Sequence, residues 1–500
     1  MKNNPDFTDP DRKVVIIGAG PAGLTAAYQL TKSNMTSVVI EKDGGVGGIS
    51  RTVNYKGFLF DIGGHRFFTK VKAIQAIWEE MLSKHEFPLR PRLSRIYYNR
   101  TYFPYPLDPA KTLRLMGLRN SFLIFASYIK SQWFPELPED NLERWVSNRF
   151  GKRLFHLFFK TYTEKVWGMP ASHISADWAQ QRIKDLSLFT AIKHSIGGTN
   201  RANQTIIKTL IDRFHYPQLG PGMMWQRVAE YVAEHGHQIR LRTSVEKILR
   251  SGNRVIGIEV QKKGRREILR GSHFISSMPL KELAHKFSPS LNPEVLQAAN
   301  NLCYRDFLIV ALIINQRDVF PDNWIYIHDT GVKVGRIQNF KNWSSYMVPD
   351  SQKTCLGLEY FCSREDELWK APDQDLLELA KAELEHIGIS RRDLIEDGTV
   401  VRMPKAYPIY DSSYKEATAT VRQTLDQFKN FQVIGRNGMH KYNNQDHSML
   451  TGMLAAKNIQ GANYNLWEVN TEQEFYEEQV PPHETDSQFL KSPKNVNINK

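Results

Sequence analysis

Cysteine is scarce. Cys303, Cys355 and Cys362 are three among 500 residues, with no metal-ligand spacing between them. That excludes a disulfide framework and a paired-cysteine metal or redox centre, and it suits a reducing compartment. All three are expected to be buried small hydrophobes. Long apolar runs are missing too: Phe307 to Ile314 is the longest of note, far short of the roughly 20 residues that span a bilayer. The opening stretch, MKNNPDFTDPDRK, has no apolar segment of the secretory kind, so a cytoplasmic location is expected. There is no long Lys/Arg run and no basic patch interleaved with aromatics, although 66 Lys and Arg against 53 Asp and Glu give a net charge of +13. Nucleic acid is therefore discounted as a partner. A phosphate-bearing small molecule or an anionic membrane surface stays open. Neither a Ser-His-Asp set nor a metal-ligand cluster is visible, so no metal is expected.

What is present is an ordinary folded composition, 41% hydrophobic and 24% charged, long enough for two or three domains. Residues 1–12 read as a disordered lead and 481–500 as a disordered tail. Val14 to Ile17, a glycine turn, a helix from Ala22 to Leu30 and SVVIEK at 37–42 form a βαβ unit. Residues 71–200 are helix-patterned, 238–276 switch to strands, and apolar runs between 307 and 361 predict a further sheet. FQVIGR, 431–436, reads as a strand and QDHSMLTGMLAAKNI, 445–459, as the helix after it. Nucleotide-binding pieces thus stand at both ends of the chain. The expected layout interleaves a cofactor domain (13–70, 201–280 and 400–465) with a helical substrate-binding insertion (71–200) and a mixed-sheet substrate domain (281–400).

Gly18, Gly20 and Gly23 make G-x-G-x-x-G between strand and helix, with Pro21 and Ala22 inside the motif. The first glycine allows the tight turn, the second lets backbone approach a pyrophosphate, and the third lets helix pack on strand. The pyrophosphate rests on the helix N-terminus. Glu41, followed by Lys42, is placed to accept from ribose hydroxyls. A second glycine set follows: Gly47 and Gly48, then Ser50 and Arg51, then Gly63 and Gly64 before His65. Such glycines let backbone lie against a large flat ligand, and Arg51 can reach a phosphate. A nicotinamide dehydrogenase needs no such second set. The cofactor expected is FAD, its ring against Gly63, Gly64 and His65.

EKDGGVGGISRT and DIGGH resemble the flavin fold shared by amine oxidases, protoporphyrinogen oxidase and UDP-galactopyranose mutase. YFPYPLD (102–108), the helical stretch 145–183, FHYPQLGPGMMW (214–225) and GRNGMHKYNNQDHSMLTGMLAAKNI (435–459) are similar to mutase segments, especially of the eukaryotic type. The resemblance implies an α/β fold, a Rossmann-type, glutathione-reductase-like FAD domain interleaved with a substrate domain of mixed sheet and helices. It implies further cofactor contacts at Val245, Gly435, Arg436, Asn444, Gln445 and Ser448. It places His65 beside the flavin's reactive edge, Tyr105 and Leu107 at uracil, and Tyr162, Thr163 and Trp167 around uridine and sugar. Arg182 and Arg336 become diphosphate clamps and, with His65, the catalytic set; Tyr407 and Tyr442 donate to the same phosphates.

The implied activity is interconversion of UDP-galactopyranose and UDP-galactofuranose, a step toward cell-surface polysaccharide, with reduced flavin as nucleophile. The chemistry would then belong to the cofactor, and the protein would supply orientation and charge. Three departures bear on the substrate. Asp108 stands where an amide is usual, Arg66 replaces an apolar residue, and KYNNQDH is shortened. Alternatives that the residues leave open are a flavin oxidoreductase of the amine oxidase or protoporphyrinogen oxidase type, an enzyme on another nucleotide sugar, and a non-catalytic flavoprotein docked on anionic membrane. Oligomeric state is open as well.

Overall fold

Val14–Ile17 and Ser37–Ile40 are buried along their whole lengths, as strands covered on both faces must be. They sit in a five-stranded parallel sheet ordered Phe431–Val433, His273–Ser276, Val14–Ile17, Ser37–Ile40, Gln238–Arg240. Sequence pieces more than 390 residues apart therefore share one sheet. The computed structural model describes residues 13–105, 107–178 and 213–470. The expected lead, the expected tail and Arg182 lie outside these. Helix Pro21–Lys32 follows the first strand, and helix Gln445–Ile459 packs directly on it. A Cβ on Gly452 would come within 2.1 Å of the Ala22 carbonyl oxygen, so the glycine is what permits this approach. A four-stranded sheet, ordered Arg265–Leu269, Arg254–Lys262, Ser244–Ser251, Phe287–Ser288, shares the same core through Ile248, Val255, Ile258 and Val260.

The second large sheet has seven strands, ordered Ile395–Pro408, Tyr304–Ile314, Thr354–Cys362, Arg336–Asn339, Trp324–Ile327, Ser94–Tyr98, Thr101–Pro104. Only the pairing of Trp324–Ile327 with Ser94–Tyr98 is parallel. Tyr304–Ile314 alternates between two cores. Leu308, Val310, Leu312 and Ile314 face helix Asp373–Ile387 through Leu376, Ala380 and Leu384. Phe307, Ile309, Ala311 and Ile313 face Phe60, Phe214, Tyr216 and Trp343.

The helix-patterned stretch opens with the expected helix, Lys72–Met81, and then departs from expectation. Residues 89–104 are strands, two of them an edge hairpin of the large sheet. Its turn, Asn99 and Arg100, adopts φ of 48° and 58°, the left-handed pair of a two-residue hairpin. Without glycine there, the turn has no obvious sequence mark. Helices follow. Asp108 caps Pro109–Trp133 by accepting from the Lys111 N–H at 2.9 Å, and the helix breaks at Gly117, φ 78°. Leu142–Phe150 is capped by Asn141. A continuous helical run from Lys152 to Trp167 widens to π geometry over Phe155–Lys160. Residues 281–302, expected with the mixed sheet, bury Leu283, Val295 and Ala299 in the first core, whereas the strand Ile395–Pro408 carries the large sheet past position 400. Cys355 and Cys362 are buried; Cys303 is exposed, unlike the expectation.

Candidate functional site

Two cavities meet along one wall. The larger, about 640 Å³, begins at the first glycine turn. Gly18 has φ of +101°, which a side chain would strain. A Cβ on Gly23 would lie 1.9 Å from the Gly18 oxygen, and one on Gly48, itself at φ +55°, would lie 3.3 Å from the Gly20 Cα. The cradle is thus made of backbone in close approach. Gly20 caps helix Pro21–Lys32 with no side-chain hydrogen bond, leaving first-turn N–H groups for an anion. Glu41 is pinned: the Ala19 N–H donates to Oε2 at 2.7 Å and the Asp43 N–H to Oε1 at 2.9 Å. Arg51 is turned to Asp43, 2.8 Å away. Pro21, Ala22, Lys42, Ser50, Val245, Gly435 and Ser448 complete this wall. Gly23 is not on it and serves packing instead.

The smaller cavity, about 360 Å³, opens beyond Gly63, Gly64 and His65. His65, Arg436, Asn444 and Gln445 border both spaces. The His65 Nε2–H donates to the Ile62 carbonyl at 2.8 Å. Burial, with the fields of Arg436 and Arg336 adding to it, pulls its pKa down to about 4, so the ring is neutral near pH 7. Arg336 donates from Nε to Glu359 Oε2 at 2.6 Å, and Gln338 donates to Glu359 Oε1 at 2.8 Å. Burial opposes the Arg336 charge, but the carboxylate outweighs it and lifts the pKa above its usual value. Arg436 donates to the Asn443 and Ala406 carbonyls. Its guanidinium lies 5.5 Å from the Tyr407 ring and 5.0 Å from the Tyr442 ring, which stack on each other.

On the opposite side the π-helical turn presents Phe158 and Phe159, and the next turn Tyr162 and Thr163. Tyr162 stacks on His328 with centroids 4.9 Å apart, and Tyr326 meets the rings of both Tyr105 and Tyr162. Burial, with Lys165 nearby, drives the His328 pKa to about 3.

The structure brings Tyr105, Leu107, Tyr162, Thr163, Arg336, Tyr407 and Tyr442 to this one cavity. Trp167 is not on it. At 2% exposure it lies in the helical core, edge-on to Trp178; five residues on from Tyr162 in the same α-helix, it is turned about 140° from it. Asp108 is spent on its helix cap. Arg66 lines the cavity with its guanidinium 5.9 Å from the Trp324 ring. Sequence reasoning missed Glu359, Gln338, Tyr326 and His328. The available signal was polarity inside apolar strands, in CLGLEYFC and NWIYIHD. Among the described residues no group of three His, Cys, Asp or Glu side chains could hold a metal.

The family model for flavin containing amine oxidoreductases matches residues 21–440. The chain belongs to that family. Its cofactor is FAD, and the backbone cradle, the uncapped helix start and Glu41 fit the pyrophosphate and ribose of that group. A crystal structure of reduced UDP-galactopyranose mutase superposes with a TM-score of 0.79 at 21% identity, covering 93% of this chain and 100% of that one, which shows a shared fold. Protoporphyrinogen oxidase 2 of Arabidopsis thaliana is 27% identical over 117 residues, 23% of each chain. A 4,4'-diapophytoene desaturase of Methylomonas sp is 22% identical over 338 residues, 59% of each. The chain thus matches only part of the length of these curated relatives. No helix among the described residues is long and apolar enough to cross a membrane.

Proposed function

We propose that this flavoenzyme interconverts ring forms of a nucleotide sugar, as UDP-galactopyranose mutase does, with UDP-galactose as the first substrate to try. One observation carries the reading. The cavity next to the flavin cradle is lined by three guanidinium groups, Arg66, Arg336 and Arg436, against a single carboxylate, Asp446, with the Tyr407 and Tyr442 hydroxyls beside them. Such a wall suits a diphosphate and repels an ammonium substrate. FAD, held by the Gly18–Gly20 turn, Glu41, Gly435 and Ser448, would in its reduced form supply an electron pair for the sugar's reacting carbon.

The chain's own residues do the rest. As the bond from the anomeric carbon to the diphosphate oxygen breaks, both electrons leave with the diphosphate. Arg336, Arg436 and the two tyrosines stabilise that charge more in the transition state than in the ground state. Glu359 and Gln338 hold Arg336 in one orientation. Tyr105, Tyr162 and Tyr326 offer aromatic faces to a planar base. Neutral His65 stays anchored to Ile62 beside the reacting atoms, adding no positive charge there. Arg182 joins the clamp in this proposal by resemblance.

Family membership favours a second reading, oxidation of an anionic substrate. The deciding experiment reduces the purified enzyme with dithionite, supplies a panel of nucleotide sugars and separates the products. A furanose product supports the proposal. Unchanged nucleotide sugars, together with oxygen uptake on an amine or a carboxylated substrate, sink it.

A further inference from the structure

Helix Pro109–Trp133 carries an apolar face that no described residue covers. Leu118 is 93% exposed, Phe122 71%, Phe125 49% and Trp133 76%. At 3.6 residues per turn, positions 118, 122, 125, 129 and 133 fall on one side of the helix. Leu115 before the Gly117 break, and Phe134 and Leu137 beyond the helix end, continue the same exposure. The inner side is apolar too, burying Ile124 and Tyr128 against the neighbouring helices. A helix apolar on two sides is ordinarily enclosed, so this one needs an occupant.

Charge says which occupant. Between Pro109 and Pro135 there are four basic residues, Lys111, Arg114, Arg119 and Lys130, and no Asp or Glu. Arg119 and Lys130 lie along the same flank of the stripe, about a quarter-turn or more from its centre. A second copy docked face to face would set these cations against their equivalents. A bilayer surface with anionic headgroups would instead pair with them while taking up Leu, Phe and Trp at the interface. Asp108, the cap of this helix, directly follows Leu107 on the candidate substrate cavity.

We propose that this face is a docking surface for anionic phospholipid bilayers, on which the helix lies without crossing, beside the cavity mouth. The proposal is independent of the sugar chemistry above.

The test is co-sedimentation of the full-length, FAD-loaded protein with vesicles. Equal parts of phosphatidylcholine and phosphatidylglycerol are compared with phosphatidylcholine alone. Binding is expected to the mixed vesicles, to be weaker on the neutral ones, and to fall as salt is raised. Leu118→Ser, Phe122→Ser and Trp133→Ser should each weaken it about tenfold, and Arg119→Glu with Lys130→Glu should abolish the preference for anionic lipid. These side chains are exposed, so flavin absorbance and melting temperature should stay at wild-type values and exclude misfolding. Failure to sediment with the mixed vesicles overturns the proposal. So does a wild-type oligomer in solution that Phe122→Ser converts to a monomer, which would make a second copy the occupant.

Discussion

Arg336 and Glu359 are direct cross-strand partners, matched in register between Arg336–Asn339 and Thr354–Cys362 and joined at 2.6 Å. The carboxylate is fully enclosed while 17% of the arginine side chain reaches the cavity. One residue presents the charge and the other fixes its direction. Arg336→Ala should therefore do two things: lower turnover of the nucleotide sugar by about 10²–10³-fold with FAD retained, and cost about 3–5 kcal/mol of stability by stranding Glu359. Adding Glu359→Leu should return most of the stability and none of the activity. Denaturant melts and steady-state kinetics separate the two effects, and near-normal turnover in Arg336→Ala would remove it from the clamp.

Tyr407 and Tyr442 should contribute through their hydroxyls. Phenylalanine at either position keeps the stack and the Arg436 contact while deleting a donor to a charged group, an interaction worth about 1.5–3 kcal/mol. The expected loss is about ten- to a hundredfold in kcat, with little change in the flavin spectrum. An unchanged kcat in both variants would confine these rings to packing.

Three deeply buried histidines should contribute to the loss of stability in acid. Burial lowers the pKa of His65 and His440 to about 4 and of His328 to about 3, against about 6.5 in the unfolded chain. Below pH 6.5 the unfolded state takes up protons that the folded state refuses, so stability is complete above that pH and declines as pH falls toward 4. Melting curves between pH 7 and 4 should show this slope, and His65→Gln should flatten it.

Asp61 works in the other direction. Burial raises its pKa to about 7, even though Tyr216 donates to it at 2.5 Å and Thr52 at 2.8 Å. The folded state keeps a proton that the unfolded carboxyl releases near pH 4, so this contribution is fullest at low pH and is lost as pH rises through 7. Asp61→Asn keeps the acceptor and cannot ionise. Its stability relative to wild type should improve steadily from pH 4 to pH 8; a constant difference would show that Asp61 does not titrate in this window.

Gly452→Ala should push helix Gln445–Ile459 off helix Pro21–Lys32, costing about 1–3 kcal/mol and loosening FAD, because Ser448 and Gln445 on the same helix line the cradle. Thermal melts and flavin retention on dialysis report both. A stable, fully flavinated variant would mean that the two helices can separate without harm.

The cofactor half of the molecule was legible because its signals are local. Val14–Ile17, the glycine turn and Glu41 lie within 28 residues, and buried parallel strands read as unbroken apolar runs. The substrate half was less so. Glu359 and His328 gain meaning only when antiparallel strands bring them beside Arg336 and Tyr162, a long-range pairing that spacing does not encode. Trp167 was assigned to the pocket from its neighbours in a motif, yet five residues along an α-helix turn a side chain about 140° from Tyr162, which does face the cavity. The strands from 89 to 104 were hidden by a left-handed turn built from Asn99 and Arg100 instead of glycine.

His65, Arg436, Asn444 and Gln445 form a party wall between two chambers. A ligand in one chamber that repositions these side chains would change the affinity of the other chamber, and by linkage the effect would run equally both ways. Cofactor retention and substrate affinity would then have to be measured together, each in the presence and absence of the other ligand.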